Sequence, residues 1–335
     1  TLSARNLVQK KIYEHSNIQH RYFPLDVNFL IKKFLTFWKP DLIIFVDSEI
    51  WPNLIFEIKK RKICSVLLNA RITKKTFNRW KIIPKLAKNI FSTFDLCLSS
   101  SKESKDYLEK LNGRNIKYIG NIKLASSVNL ESIDNINETM LKQKIFWCAA
   151  STHKGEEIFC LKTHLILKKI YKDILTIIIP RHINRSKEIK QFCDKFELSS
   201  QILNDEELIE SKKEIIIVNS FGVLNNYFKY SKSVFIGKSL LEKLHKVGGQ
   251  NPIEAAKLGC KIYHGPYVYN FKEIYKLFES YKISEKISNE QQLSDKLTID
   301  LKEPKKNYKE TTNIIDNLGQ KILDNSIEEI NKILF

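Results

Sequence analysis

Short apolar, β-branched runs alternate along the chain with stretches whose apolar residues recur at helical spacing. That alternation predicts parallel sheets built from βαβ units. In the first half, Leu42–Val46, Ser65–Leu68, Leu96–Ser99 and Lys117–Ile119 read as strands. Between them, Pro52–Lys60, with proline at its start, and Ser101–Leu111 read as helices. A polar stretch, Ser126–Gln143, interrupts the alternation and reads as a linker. The pattern then restarts with strands at Ile145–Ala149, Leu175–Ile179, Glu214–Val218, Ser233–Ile236 and Lys261–Tyr263. Helices are expected at Gly155–Tyr171, Ser186–Phe196, Pro252–Leu258 and Phe271–Tyr281, and Thr312–Leu334 reads as an amphipathic helix or pair. The longest apolar runs, Leu42–Val46 and Ile174–Pro180, have strand length, far below the roughly 20 residues of a membrane-spanning helix. The expected class is α/β, with two Rossmann-like halves around a cleft.

Composition adds limits. A length of 335 residues suggests two domains. A hydrophobic share of 43% excludes intrinsic disorder, and ten glycines with eight prolines exclude a collagen-like chain. The six cysteines form no CxxC and pair with no histidine at zinc-ligand spacing, so they read as small core hydrophobes in a reducing compartment. Thr1–Gln19 is polar and mixed, unlike a signal peptide. The start at Thr1, with Met140 the only methionine, suggests a fragment. The net charge of +18 fits either a generally basic surface or an anionic partner such as lipid headgroups or phosphorylated substrates. Nucleic acid is disfavoured, because clustered arginines with interleaved aromatics are missing.

Ligands of open parallel sheets bind at the carboxyl ends of strands, so the residues there are the candidates for chemistry. Asp47-Ser48-Glu49 follows the first strand; its two acids could stabilise positive charge or merely favour the helix starting at Pro52. Asn69-Ala70-Arg71 and Gly120-Asn121-Ile122-Lys123 follow later strands, and Lys123 is either a cleft residue or a solvated lysine. In Ala150–Glu157, Ser151 or Thr152 could cap a helix whose free N–H groups hold an anion. Pro180-Arg181-His182 offers a guanidinium suited to phosphate. Gly248-Gly249-Gln250-Asn251-Pro252-Ile253-Glu254 is the most specific segment. Asn251 as N-cap, Pro252 at N1 and Glu254 at N3 would make a capping box, which leaves the paired glycines unexplained. Glu254 could instead bind the hydroxyls of a ribose. Neither GxxxxGK[ST] nor GxGxxG occurs, and Asp-x-Asp is missing too.

Taken in order, DSEIWPN (Asp47–Asn53), NAR (Asn69–Arg71), GNIK (Gly120–Lys123), ASTHKGEE (Ala150–Glu157), PRH (Pro180–His182), GGQNPIE (Gly248–Glu254) and HGPYVYNFKE (His264–Glu273) resemble the Kdo (3-deoxy-D-manno-octulosonate) transferases of lipopolysaccharide assembly. The resemblance runs from about Tyr22 to Tyr275. It implies a GT-B glycosyltransferase fold and transfer of Kdo from CMP-Kdo to a lipid A precursor, with inversion and without metal or cofactor. It further implies that Pro180, Arg181, the loop Phe221-Gly222-Val223, and Asn251, Pro252, Ile253 and Glu254 hold CMP. Asp47, Glu49 and Lys123 would support the transition state. The implied setting is the cytoplasmic face of the inner membrane, with the fragment soluble or peripheral on an anionic surface. The family pattern has an acid where Val223 stands, His where Gln250 stands and Glu where Asp47 stands. Its general-base Glu and hydrophobic anchor precede the segment matching Thr1, so weak transfer by this chain is expected. The expected domains are 1–128, a linker at 129–143, a CMP-sugar-binding domain at 144–311 and a helical segment at 312–335. A GT-B enzyme using a nucleotide diphosphate sugar is the alternative.

Overall fold

The computed structural model describes residues 17–128, 133–303, 305 and 308–334. Most of the polar start expected at Thr1–Gln19, and residues 129–132 of the expected linker, lie outside the described residues. The chain divides into two compact units. One holds the chain up to Gly120 together with the residues from Asp324 on; the other holds Asn121–Leu323.

The first unit is a four-stranded parallel sheet in the order β1 (Leu42–Val46), β2 (Cys64–Ala70), β3 (Leu96–Ser99), β4 (Ile116–Tyr118). Helices α1 (Asn28–Trp38), α2 (Pro52–Arg61), α3 (Lys74–Lys81), α4 (Pro84–Phe91) and α5 (Lys102–Lys110) accompany it. Pro52 starts α2 where a missing N–H costs nothing, and the cationic Lys59, Lys60 and Arg61 fall in its last turn before left-handed Lys62. Leu54, Ile55 and Ile58 on one side of α2 are buried with Ile31, Leu35, Ile90 and Phe91. Val66, Leu96 and Leu98 form a separate cluster, against which Ile330 and Ile333 pack.

The second unit carries a seven-stranded, wholly parallel sheet. Its strands are β5 (Phe146–Thr152), β6 (Leu175–Pro180), β7 (Ser200–Leu203), β8 (Ile215–Val218), β9 (Ser233–Ile236), β10 (Lys261–His264) and β11 (Ser284–Lys286). Their order is β11-β10-β9-β5-β6-β8-β7. Helices α6 (Glu138–Gln143), α7 (Glu156–Lys168), α8 (Ser186–Lys195), α9 (Leu224–Phe228), α10 (Ile253–Lys257), α11 (Lys272–Ser280), α12 (Glu290–Lys302) and α13 (Tyr308–Leu334) follow in chain order. Two large apolar clusters flank the sheet, so its inner strands are apolar on both sides and read as continuous Ile/Val runs. From β5 the chain moves outward one way through β6 to the edge strand β7, fills the gap between them with β8, and returns to place β9 on the other side of β5. The strand order therefore reverses between β5 and β9, the switch point where such sheets bind ligands.

The contacts draw the boundaries elsewhere than expected at 128, 144 and 312. Leu124, Ile133 and Leu141 are buried in a core cluster of the second unit, which absorbs the described part of the linker. Ile315 belongs to the same cluster, whereas Ile330 and Ile333 pack in the first unit. The terminal helix is thus not a separate segment.

Candidate functional site

At the switch point the loops after β5 and β9 are tied together by one carboxylate. Glu156, fully buried, accepts N–H bonds from Lys238, Ser239 and Leu240 at 2.6–3.0 Å and from His153 at 2.9 Å. Burial raises its pKa, against those four bonds. Gly237 makes the approach feasible, since a Cβ there would stand 2.6 Å from the Ser151 carbonyl oxygen. The neighbouring Glu157, also fully buried, receives two bonds from the guanidinium of Arg185 and one from the Gly155 N–H. Helix α7 is therefore not capped by Ser151 or Thr152; its N-cap is Gly155 at φ 104°, and the N–H groups of His153 and Gly155 go to the chain's own acids.

The next strand end supplies the cation. Pro180 is buried as the last residue of β6 in register with Thr152, and the Arg181 N–H donates to the Thr152 carbonyl at 3.1 Å. The Arg181 guanidinium is exposed and has no hydrogen-bond or ion-pair partner among the described residues. Beyond β8, Phe221 is 68% exposed, Gly222 has φ 79° with no neighbour to a Cβ within 4 Å, and Val223 precedes α9. Those three residues lie at the same carboxyl edge as Arg181, because β8 is the neighbour of β6.

The glycine loop hangs on the same framework. The Gly249 N–H donates to the Lys238 carbonyl and the Asn270 N–H to the Gly248 carbonyl. A Cβ on Gly248 would sit 2.0 Å from the Tyr267 carbonyl oxygen, and Gly249 has φ 92°. Close backbone packing thus explains both glycines, which the sequence left unexplained. The capping box is also corrected. Helix α10 begins at Ile253 behind Pro252, and the Asn251 side chain accepts the Ile253 N–H at 3.1 Å. Glu254 makes no reciprocal bond; its carboxylate has no partner among the described residues, and burial alone raises its pKa. Backbone hydrogen bonds from Arg181 to Thr152 and from Gly249 to Lys238, bridged by the Glu156 carboxylate, tie the Arg181 strand end to the loop ahead of Glu254.

In the first unit, the predicted acids sit as the sequence places them, beyond β1. Asp47 at φ 60° and Asn69 at φ 53° are both left-handed, and the Asn69 amide donates to the Asp47 carboxylate. The Arg71 N–H donates to the Asp47 carbonyl, and the Ser48 hydroxyl to the Arg71 carbonyl. These bonds give the Asn-Ala-Arg segment its role: it holds the Asp-Ser-Glu turn. Glu49 is exposed and borders a cavity of about 590 Å³ whose walls include Phe23, Phe34, Trp38, Trp51 and Leu54. Lys123, half-buried, lies on a turn started by the Asn121 side chain, and groups with the second unit rather than the first. Among the described residues, no three His, Cys, Asp or Glu side chains are arranged to hold a metal ion. No described helix is long and apolar enough to cross a membrane.

Comparison with known proteins gives the family. Residues 1–126 match the family model described as 3-deoxy-D-manno-octulosonic-acid transferase (kdotransferase). A 3-deoxy-D-manno-octulosonic acid transferase of Rickettsia bellii is 33% identical over 322 residues, covering 93% of this chain and 75% of that one. The chain belongs to the Kdo transferase family. The Haemophilus influenzae member is 31% identical over 267 residues; the match takes in 77% of this chain but 60% of that protein's length. Kdo transferases are glycosyltransferases, and the solved structures agree on the GT-B fold. A UDP-GlcNAc 2-epimerase from Neisseria meningitidis superposes with a TM-score of 0.55 at 13% identity, over 93% of this chain and 84% of its own.

Reading the sequence alone missed Glu156, three of whose four amide partners lie 82–84 residues away. It also gave no partner to His153. The signal available was the pair of adjacent acids after a glycine in ASTHKGEE, too many charges for a helix start that merely needs a cap.

Proposed function

We propose that this chain transfers Kdo from CMP-Kdo to a lipid A precursor, inverting the anomeric centre and using no metal. The observation that carries the reading is the pair Arg181 and Glu254. Each is a charged side chain left without a protein partner, and both stand on the framework around the switch point. Glu254 is half-buried, where a charge seldom stands unanswered unless a ligand answers it, and Arg181 is exposed and open to an anion. Loss of CMP leaves negative charge on a phosphate, which Arg181 neutralises bidentately, while Glu254 binds the ribose hydroxyls. Phe221, Gly222, Val223, Asn251, Pro252 and Ile253 complete the nucleotide seat. Asp47, Glu49 and Lys123 stabilise charge on the sugar side. The acceptor is amphiphilic, which suits an apolar cavity bordered by Glu49.

The +18 charge and the exposed Phe29 and Phe37 of α1, 70% and 77% accessible beside Lys32, Lys33 and Lys39, favour peripheral attachment to the anionic cytoplasmic face of the inner membrane. Titration calorimetry tests the donor seat. CMP should bind more tightly than UDP, and Arg181→Ala should cost roughly 1.5–3 kcal/mol of CMP affinity. Tighter binding of UDP, or a variant with unchanged CMP affinity, would overturn the assignment.

A further inference from the structure

His153 and His182 come from the ends of adjacent strands and face each other edge to face, ring centroids 5.7 Å apart with planes at 70°. The Nδ1 of His153 lies 3.1 Å from the Ser151 carbonyl, so that nitrogen carries a hydrogen and Nε2 points elsewhere. His182 is exposed, and neither imidazole has a carboxylate within ion-pair distance among the described residues. The nearby acids are already engaged. Glu156 serves four backbone N–H groups, Glu157 serves Arg185, and Glu188 serves Arg185 and Lys154. What remains at the ends of β5 and β6 is Arg181 and two imidazoles, none with a carboxylate within ion-pair distance among the described residues.

Kdo is an acid, and its carboxylate is bonded to the same anomeric carbon that carries the phosphate of CMP-Kdo. The donor thus presents two separate anions only a few bonds apart. If Arg181 takes the phosphate, as in the donor reading on which this inference rests, the second anion must be met within a few bonds' reach of it. His182 is the next residue in the chain, and His153 is the partner across the adjacent strand. We propose that His153 and His182 form the seat for the carboxylate of the donor sugar, and so make the site select an acidic sugar over a neutral one.

The neutral His153 ring offers an acceptor at Nε2, which a carboxylate repels. Burial, Lys238 and His182 disfavour its charged form, while the Ser151 carbonyl and Glu157 favour it, with the net pKa below the ordinary value. Binding of the carboxylate therefore draws a proton onto the ring. Donor binding then weakens as pH rises through neutrality, by about tenfold per unit for one linked proton.

The test compares CMP-Kdo with the methyl ester of CMP, which has the same nucleoside and the same singly charged phosphodiester but no carboxylate. Dissociation constants are measured by calorimetry between pH 5.5 and 8.5 for the wild type, His153→Asn and His182→Gln. Asn keeps a donor for the Ser151 carbonyl, and methyl-ester binding reports an intact pocket in each variant. The expected result is roughly a tenfold or larger loss of CMP-Kdo affinity in each variant. Methyl-ester affinity should stay within about twofold, and the pH slope for CMP-Kdo should become shallower in His153→Asn. Parallel losses for both ligands, or unchanged CMP-Kdo affinity, overturn the carboxylate seat while leaving the nucleotide reading standing. Failure of the wild type to bind the methyl ester overturns both.

Discussion

Arg185 reaches Glu157 through two nitrogens at once, Nη1 to Oε1 at 2.5 Å and Nη2 to Oε2 at 3.1 Å, with the carboxylate fully buried. The pair pins the start of α7 to the turn ahead of α8. Removing one member leaves the other buried and unanswered, a loss of about 3–5 kcal/mol. Glu188, which also holds Arg185, should keep Glu157→Ala near the lower limit. Denaturant unfolding checks this, and replacing both partners by methionine should recover much of the loss.

Glu254 behaves in the opposite sense. Its folded pKa is raised by burial, so the native state binds the proton more tightly than the unfolded chain. The carboxyl therefore adds stability below the ordinary glutamate value, and that contribution falls away as pH rises through the folded value. Glu254→Gln should leave the protein as stable as the wild type, or more so, at pH 7, with a flatter stability profile above pH 5. Its CMP affinity should fall. Thermal unfolding across pH, beside calorimetry, separates the two effects.

His164 gives the other sign. It is fully buried, with Nδ1 2.9 Å from the Thr176 hydroxyl, and burial pushes its pKa down to about 4 despite the nearby Glu214. The unfolded chain takes up the proton first. Stability from the neutral ring is complete above the ordinary histidine value and is lost as pH falls toward 4, by up to about 3 kcal/mol. His164→Asn should remove that slope while keeping the bond to Thr176, as read in urea melts between pH 4 and 7.

Gly248 tests the backbone framework. Alanine there would drive a Cβ to 2.0 Å from the Tyr267 carbonyl oxygen, and neither segment is a flexible side chain that can swing away. Gly248→Ala should cost about 1–3 kcal/mol of stability through backbone displacement. It should also weaken CMP, because the same loop leads to Asn251 and Glu254. A variant with full stability and full CMP affinity would show the loop to be loose.

What could be read from the sequence follows from burial. β1, β3 and β9 are found with the predicted limits, because each is a short apolar run between polar turns. β7 and β11 escape notice because they are the edges of the seven-stranded sheet and carry polar residues, as in Ser284–Lys286. Helices α3 and α4 are short and meet at Pro84, so neither builds a long helical period. The candidate residues themselves were legible as strand-end motifs in order. Their hydrogen-bond economy was not. Whether Glu156 is consumed by amides while Glu254 stands open depends on chain segments brought together only by folding.

The terminal helix has a consequence for synthesis. Lys117 pairs with Glu329 across 212 residues of sequence, and Ile330 and Ile333 meet Val66, Leu96 and Leu98. At ribosomal rates of about 5–20 residues per second, those partners emerge roughly 10–40 s after β4. During that interval the nascent first unit presents a bare apolar sheet surface, and all seven strands of the second unit are made before the cover arrives. A chaperone that recognises exposed β-branched and leucine side chains would find its best target in this polypeptide then, and release it only when the last turns of α13 leave the ribosome.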